Sequence, residues 1–538
     1  MGVPLIINQD GTPMRRASHQ VTAYQAADPA SQDMANWWPS LASADYDLLH
    51  NRDRITARIR DIARNNGWAA GIVGREIDNV IGGGLRLSVK PDYAALGLDA
   101  EWAHEWSKEV EAAWRTYAND PGFYCDASRH SQMGGLFGLA YRHYVVDGDA
   151  LGVLVWEPNR GGAFATALRV VDPDRLSNPN QGEDTDFLRG GVEIDHNTAA
   201  IAYHFRKRHP HDVGTAMDAW IWERIARDTP WGRPQVIHHF DKERDGLSRG
   251  VGRLTPILER LKMLDRYDKV ELQAAVLNAI LAAFIESPFD HNLLQGILED
   301  GQAANLNDYQ TARSGFHENK AITLGGIRVP ALFPGEKLGF QTVTRPNSSF
   351  DAFQATVLRN IAAGTGTSYE QLSKDWSKTN YSSARASLLD MWKTMTYRRD
   401  DFAQGFSTPV YLGFLEEAID KGIVRLPPNA PDFYEARAAY AKCRWIGPGR
   451  GWVDPVKEIQ AAVLRMAAGI STLEDEVAEQ GGDYQEKLQQ IMREIKECQA
   501  AGIVHPSLRS FATLMVPQQD EREGSQAPGN SSSGEQAA

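Results

Sequence analysis

"TPILERLKMLDRYDKVELQAAVLNAILAAFIES", residues 255–287, decides what kind of fold this chain can adopt. Thr255 is a favoured N-cap type, and Pro256 suits the first helical position, where its missing N–H would have no partner anyway. No Gly or Pro then interrupts the run until Ser287-Pro288. Some thirty residues rising ~1.5 Å each make about 45 Å of helix, which is long for a globular domain. The first half is charged, whereas from Leu272 onward Ala, Leu and Ile occupy nearly every side. A helix that is apolar all round must be covered by neighbours along much of its length. The apolar stretch 272–285 is shorter than the ~20 residues that cross a bilayer.

Working outward, residues 288–345 read as an interrupted insert, with short strands in "KAITLGGIRV" and a turn at "FPGEK". A second helix starts near Ser349 and runs through Phe353, Val357 and Ile361 to Gly364-Thr365-Gly366. Two helices therefore bracket one small module. Next comes "SKDWSKTNYSSARASLLDMWKT", residues 373–394, which changes character halfway. It opens as a polar loop carrying Lys374, Trp376, Lys378 and Tyr381. It continues as a helix, capped by Ser382 or Ser383, with an apolar face of Leu388, Met391, Trp392, Met395 and Phe402. The remainder reads as mostly helical, with starts at Thr408-Pro409 and Asp454-Pro455, a capping box at Ser471-x-x-Glu474, and stops at Gly469 and Gly481-Gly482. Residues 517–538 are Gly, Ser, Gln and Glu without core residues and read as disordered.

Upstream, residues 1–45 are weakly patterned and read as an arm. Helical spacing holds over 46–80 through Ile55, Ile59, Ile62, Trp68, Ile72 and Ile77, until Gly82, Gly83 and Gly84 end it. Another helix covers about 102–117. The pattern then turns to strands: "YRHYVVDGDALGVLVWE" reads as a hairpin about Asp147-Gly148. Further strands are expected in "ALRVVDPDRL", "GGVEIDH", "AAIAYHFRKR" and "PQVIHHF".

The bulk numbers narrow the class. At 538 residues, several domains are expected, since one core rarely exceeds roughly 250–300 residues. A net charge of −13 argues against a protein that coats nucleic acid through a general basic surface. It leaves room for one that handles DNA without gripping it. Cys125, Cys443 and Cys498 lie far apart with no CxxC pair, which points away from a disulfide framework or zinc ribbon and towards a reducing compartment. The opening "MGVPLIINQDGTPMRR" has no charged n-region before its short apolar run and does not read as a signal peptide.

Candidate chemistry is thin. Gly246-Leu247-Ser248-Arg249-Gly250 matches the G-x-S-x-G elbow of serine hydrolases, which needs a strand running straight into the serine turn. "DKERD" intervenes here and Arg249 adds bulk, so a linker into the long helix is the better reading, with a hydrolase using Ser248 as a remote alternative. His204, His209, His211, His238 and His239 cluster in sequence, but adjacent strand residues 238 and 239 point to opposite faces. They read as exposed strand-end histidines. Asp147-x-Asp149 could be a carboxylate pair for metal chemistry, yet the Asp-Gly turn explains it with less. "GGGLRL" lacks the Gly-Lys-Ser/Thr that cradles phosphates. No catalytic residue, metal or cofactor is assigned, and the chain does not read as an enzyme.

Several stretches together resemble the lambda-type family of tailed-bacteriophage portal proteins. They are "RIRDIARNNGWAAGIV", "VIHHFDKERDGLSRGVGRLTPILERL", "IAAGTGTSYEQLSKDWSKTNYSSARASLLDMW" and "GWVDPVKEIQAAVLRMAAGISTLEDEVAEQGGDYQEKLQQI". They stand in family order over roughly residues 45–500, and "DWSKTNYSSAR" is the most specific. The sequence departs at Gly148-Asp149-Ala150, where Gly-Glu is expected, and at Gly364-Thr365-Gly366-Thr367, where a more apolar turn is usual.

The resemblance implies a mainly helical α+β portal fold assembled as a ring, typically of twelve subunits, at one capsid vertex. The implied parts are an N-terminal arm (1–45), a wing (46–250), a first stem helix (251–287) and a clip (288–345). A second stem helix (346–366), a tunnel loop (367–382), a long wing helix (383–405), wing and crown helices (406–516) and a tail (517–538) follow. The loop would face DNA through Lys374, Trp376, Lys378, Asn380 and Tyr381. Implied partners are further copies of the chain, double-stranded DNA, the terminase large subunit, major capsid and scaffold proteins, and head-completion or tail adaptor proteins, with no membrane. The implied place is the portal vertex of the virion, reached from the host cytoplasm. A minor capsid or adaptor protein without a channel is the alternative within the same particle.

Overall fold

A computed structural model describes Ala26 and residues 33–34, 36–209, 211–212, 217–285, 321–324, 327–330, 350–451 and 454–508. Side chains are described over these residues except 277–285 and 321–330. Most of the expected arm, the bulk of the 288–345 insert and the 517–538 tail lie outside the described residues.

The expected helix over 46–80 is two helices, α1 (Ala44–Asn65) and α2 (Gly67–Val80). Asn66 between them is extended and turns its side-chain oxygen onto the Ala69 amide at 3.0 Å, capping α2. Strand β1 (Arg86–Val89) and helix α3 (Ala100–Ala118, capped by Asp99) follow. The hairpin expected about Asp147-Gly148 does not form. Its first arm lies within helix α4 (Met133–Asp147), and Gly148, at φ 90°, is that helix's left-handed cap. Strand β2 (Asp149–Trp156) leaves directly from the cap.

β2 pairs instead with chain far downstream. It lies between β3 (Thr166–Val170) and β8 (Val236–Phe240), antiparallel to both. A second antiparallel sheet runs β4 (Leu188–Arg189), β5 (Val192–Ile194), β6 (Ala200–Arg206), β7 (Trp222–Ala226). The sheets share a small core of Leu151, Val153, Leu176, Val192, Phe205 and Val236. The larger core centres on α4, whose Phe137, Tyr141 and Tyr144 pack with Phe402, Phe406 and Trp445.

Residues 255–257 form one 3-10 turn, in which Thr255 Oγ1 donates to the Gly252 carbonyl at 2.6 Å instead of capping the helix. Helix α5 then spans Leu258–Ile285. Strands β9 (Ala321–Leu324) and β10 (Ile327–Pro330) pair antiparallel. Helix α6 (Phe350–Thr365) returns alongside α5, and Tyr267 stacks on Phe350 at 5.7 Å between ring centres. Then come α7 (Tyr369–Ser373), α8 (Tyr381–Phe402) and, through a π turn at Ala403–Ser407, α9 (Thr408–Asp420) without a break. Helix α10 (Arg437–Tyr440) leads to β11 (Cys443–Ile446), which pairs with β1. Helices α11 (Pro455–Ala467), α12 (Leu473–Glu479) and α13 (Tyr484–Ala500) complete the described chain. The capping box sits one residue later than expected, on Thr472 and Asp475. Among the described residues, no helix is long and apolar enough to cross a membrane.

Candidate functional site

Helix α6 ends where it crosses the start of α5. A Cβ at Gly364 would lie 2.5 Å from Ile257 Cγ2, so only glycine permits the approach. Gly366, at φ +71°, turns the chain out of the helix. Both glycines belong to the turn that departs from the usual family pattern, and each has a backbone reason to be there. Ser368 caps α7 by accepting from the Gln371 amide at 3.3 Å, and Arg359 lies over the Tyr369 ring at 4.9 Å. Leu372 drops into the core, while Lys374 takes the left-handed conformation at φ 60°.

The segment 374–380 is held by its own short polar bonds. The Asp375 amide donates to Ser373 Oγ at 3.1 Å, the Ser377 amide to Asp375 Oδ1 at 3.0 Å, and the Thr379 amide to the Trp376 carbonyl at 3.2 Å. Lys374 and Lys378 are exposed, as are Trp376 and Tyr381 at 39% and 50%. The indole and phenol thus keep part of their surface open to solvent. Asn380 serves the fold: its Oδ1 accepts from the Ser383 amide at 2.8 Å and caps α8, the role expected of Ser382 or Ser383. The five residues thus share one stretch of chain, four presenting side chains outward and one folding it.

The linker from β8 into α5 is anchored by a buried ionic hub that the sequence did not announce. Asp149 is fully buried and its Oδ2 accepts from Arg52 Nη2 and Arg249 Nε, each at 2.7 Å. Its Oδ1 accepts from the Gly250 amide at 2.7 Å and lies 3.1 Å from His238 Nε2. Burial would raise this carboxyl, but Arg249, Arg52 and His238 outweigh it and hold the group far below the carboxylate range. Arg249 also donates to the carbonyls of Leu176, Gly190 and Pro173 at 2.7, 2.6 and 2.9 Å. A side chain that looked like mere bulk in a G-x-S-x-G match is the hub's centre. Neighbouring Asp147 accepts from Arg60 Nε at 2.7 Å, and Arg60 reaches Asp172 and Asp174 at 2.8 and 2.6 Å. Asp147 and Asp149 are thus ion-paired core acids and not a turn.

Each remaining candidate is already engaged by its neighbours. Ser248 is buried; its amide and hydroxyl donate to Asp45 Oδ1 and Oδ2 at 2.8 and 2.7 Å, tying the linker to the start of α1. No strand leads into it, because β8 ends at Phe240. The histidines diverge: His204 to Glu193, His209 to Asp174, His238 to Asp149, His239 to Asp401. His238 and His239 are core residues, correcting the expectation of exposed strand ends; burial lowers the His238 pKa against the pull of Asp149. His143, Asp147 and Asp172 do converge among the described residues, but the Arg60 guanidinium already sits between the two acids as their cation.

Residues 30–399 match the family model described as phage portal protein, lambda family. The portal protein of Escherichia phage N15 is 35% identical over 536 residues, 98% of this chain and 100% of that protein. Portal protein B of Escherichia phage lambda is 35% identical over 517 residues, covering 95% and 96%. A chain in the neck of an empty gene transfer agent particle aligns at TM-score 0.35 and 15% identity, over 81% of this chain and 95% of that one. The chain belongs to the lambda family of phage portal proteins. Its mainly helical α+β architecture is the portal fold.

Proposed function

We propose that many copies of this chain close into a ring, of about twelve subunits, at one vertex of the capsid, and that the axial hole carries the genome in and out. In this reading the sheets and α1–α4 form a wing, α5 and α6 the stem, and residues 288–345 the clip that meets terminase and later the head-completion proteins. Helix α8 returns to the wing, and α11–α13 contribute to a crown. The ring assembles in the host cytoplasm with capsid and scaffold proteins. Its role is structural, without catalysis.

The carrying observation is the 374–380 segment, which stands between two helices with Lys374 and Lys378 both exposed. Set at the narrowest point of the hole, the two ammonium groups meet phosphates briefly, while Trp376 and Tyr381 are free to meet the neighbouring copy's loop. The overall charge of −13 supports this economy of cations. A lysine-rich wall would release counterions and hold the duplex, whereas a sparse ring of lysines in acidic surroundings lets it slide. Apolar side chains of α5 that stay exposed in the single chain, Met263, Val270, Leu272 and Val276, support coverage by adjacent copies. The test is Lys374→Ala with Lys378→Ala: negative-stain images should still show closed rings with an axial hole, while the yield of DNA-filled particles falls. Unchanged genome packaging would remove the loop from the mechanism.

A further inference from the structure

The exposed arm leaves the body at Thr365 and comes back along α8, so its placement depends on what is fastened at that crossing. From Tyr381 to Arg398 the helix covers about 26 Å at ~1.5 Å per residue. The segment 374–380 begins two residues beyond Leu372, which is buried in the core, so its placement follows how residues 365–373 are fastened. We infer that Arg398 is the positioning residue of this arm, joining the end of α6 to the wing helix α2 through a single guanidinium. The inference rests on the reading of the arm as the DNA-facing loop.

Five observations converge on it. Arg398 Nη2 donates to the Thr365 carbonyl at 3.0 Å, one of the last-turn acceptors of α6 that has no partner within its own helix. Arg398 Nη1 donates to Glu76 Oε1 in an ion pair whose side chains are 11% and 3% exposed. Glu76 is itself fixed, because its Oε2 accepts from the Tyr141 hydroxyl at 3.0 Å in the core of α4. The fit is close, since a Cβ at Gly366 would come within 3.2 Å of Arg398 Nη2. Next to Glu76, Arg75 Nη2 donates to the Leu372 carbonyl at 3.2 Å, so α2 grips the arm at a second point along α7.

An arginine is required by the geometry. Its planar fork sends two N–H groups from one rigid plane to two different acceptors, which a lysine's single ammonium on a flexible stem reproduces poorly. Arg398→Lys keeps the charge opposite Glu76 and gives up the Thr365 bond. Arg398→Met gives up both and leaves Glu76 buried beside Tyr141.

The test is hydrogen exchange on assembled rings of full-length protein, read over 366–373 and, as a control, over β2 and β8. Loss of one charge-assisted bond should speed exchange over 366–373 about tenfold in Arg398→Lys and further in Arg398→Met, with the control strands unchanged. Filled-particle yield should drop in both variants although rings still close. Wild-type exchange over 366–373 in both variants overturns the inference, even if Lys374→Ala with Lys378→Ala blocks packaging. A loosened arm with normal packaging in all variants supports the clamp and overturns the DNA-facing reading instead.

Discussion

Replacing Asp149 by Asn keeps the shape of the buried hub and removes its buried carboxylate. Arg52 and Arg249, side chains 4% and 2% exposed, would then face a neutral amide. Both keep carbonyl partners: Arg52 the carbonyls of Gly250 and Asp147 at 3.1 and 3.2 Å, Arg249 its three. What disappears is the charge that balances them, and breaking a buried pair from one side costs about 3–5 kcal/mol. Because Asp149 starts β2 and Gly250 lies in the linker to α5, the cost should fall on the local opening that separates these two segments. At 1.36 kcal/mol per tenfold, about 3 kcal/mol raises that opening equilibrium at least a hundredfold. Native-state hydrogen exchange over 148–152 and 248–254 reads the effect, with the β6–β7 pair as an internal control. The carboxyl is depressed in the folded chain, so its contribution is present above about pH 4 and fades below it as the group protonates; wild type and Asp149→Asn should converge only in acid. A change of less than about tenfold at neutral pH would mean that the carbonyls alone hold the arginines and that the hub does not lock the linker.

Two further outcomes follow from the same structure. Glu111 is 4% exposed and burial, helped by Asp483, pushes its carboxyl up to about 7 against the Val89 amide, Arg115 and Lys90. A raised acid favours the folded state most at low pH, and that advantage is lost as pH rises through about 7. The stability difference between wild type and Glu111→Gln should therefore shift by about 2–3 kcal/mol between pH 4.5 and 7.5 in denaturant titrations, and a flat difference refutes the assignment. Gly148→Ala places a Cβ 2.3 Å from the Val251 amide nitrogen at a φ of +90°, so it should cost more than about 3 kcal/mol and deplete soluble chain. Gly97→Ala, at φ +68° in open space, should cost only about 1 kcal/mol in the same melting assay.

The long helix, its returning partner and the order of the strands were legible because periods of 3.6 and 2 are local properties. The error at Asp147-Gly148 has a physical origin. A left-handed glycine serves a hairpin turn and a helix cap equally well, and Val145 and Val146 resemble strand residues until α4 is seen with both of them buried in the core. The cap of α8 was expected at Ser382 or Ser383 and not at Asn380 because a cap depends on where the helix begins, and that start is fixed by the polar bonds of 374–379. The hub and the clamp were out of reach altogether. Arg52 and Arg249 each lie about a hundred residues from Asp149, and Glu76 lies 322 residues before Arg398. No pattern in one sequence reports such pairings. In retrospect the signals were an acid directly after the capping glycine and an arginine inside the linker glycines.

The pair α5 and α6 meets at Tyr267 and Phe350, and each helix is pegged to the body at its far end, by Ile257, Leu261 and Leu264 on one side and Leu358, Ile361 and Ala362 on the other. That aromatic contact holds the start of α6 against the middle of α5, some eighteen residues before α5 ends at Ile285. The two helices are therefore registered by contacts of their own, and the piece of chain between them could be exchanged for another while the body and the helix pair went on folding as before.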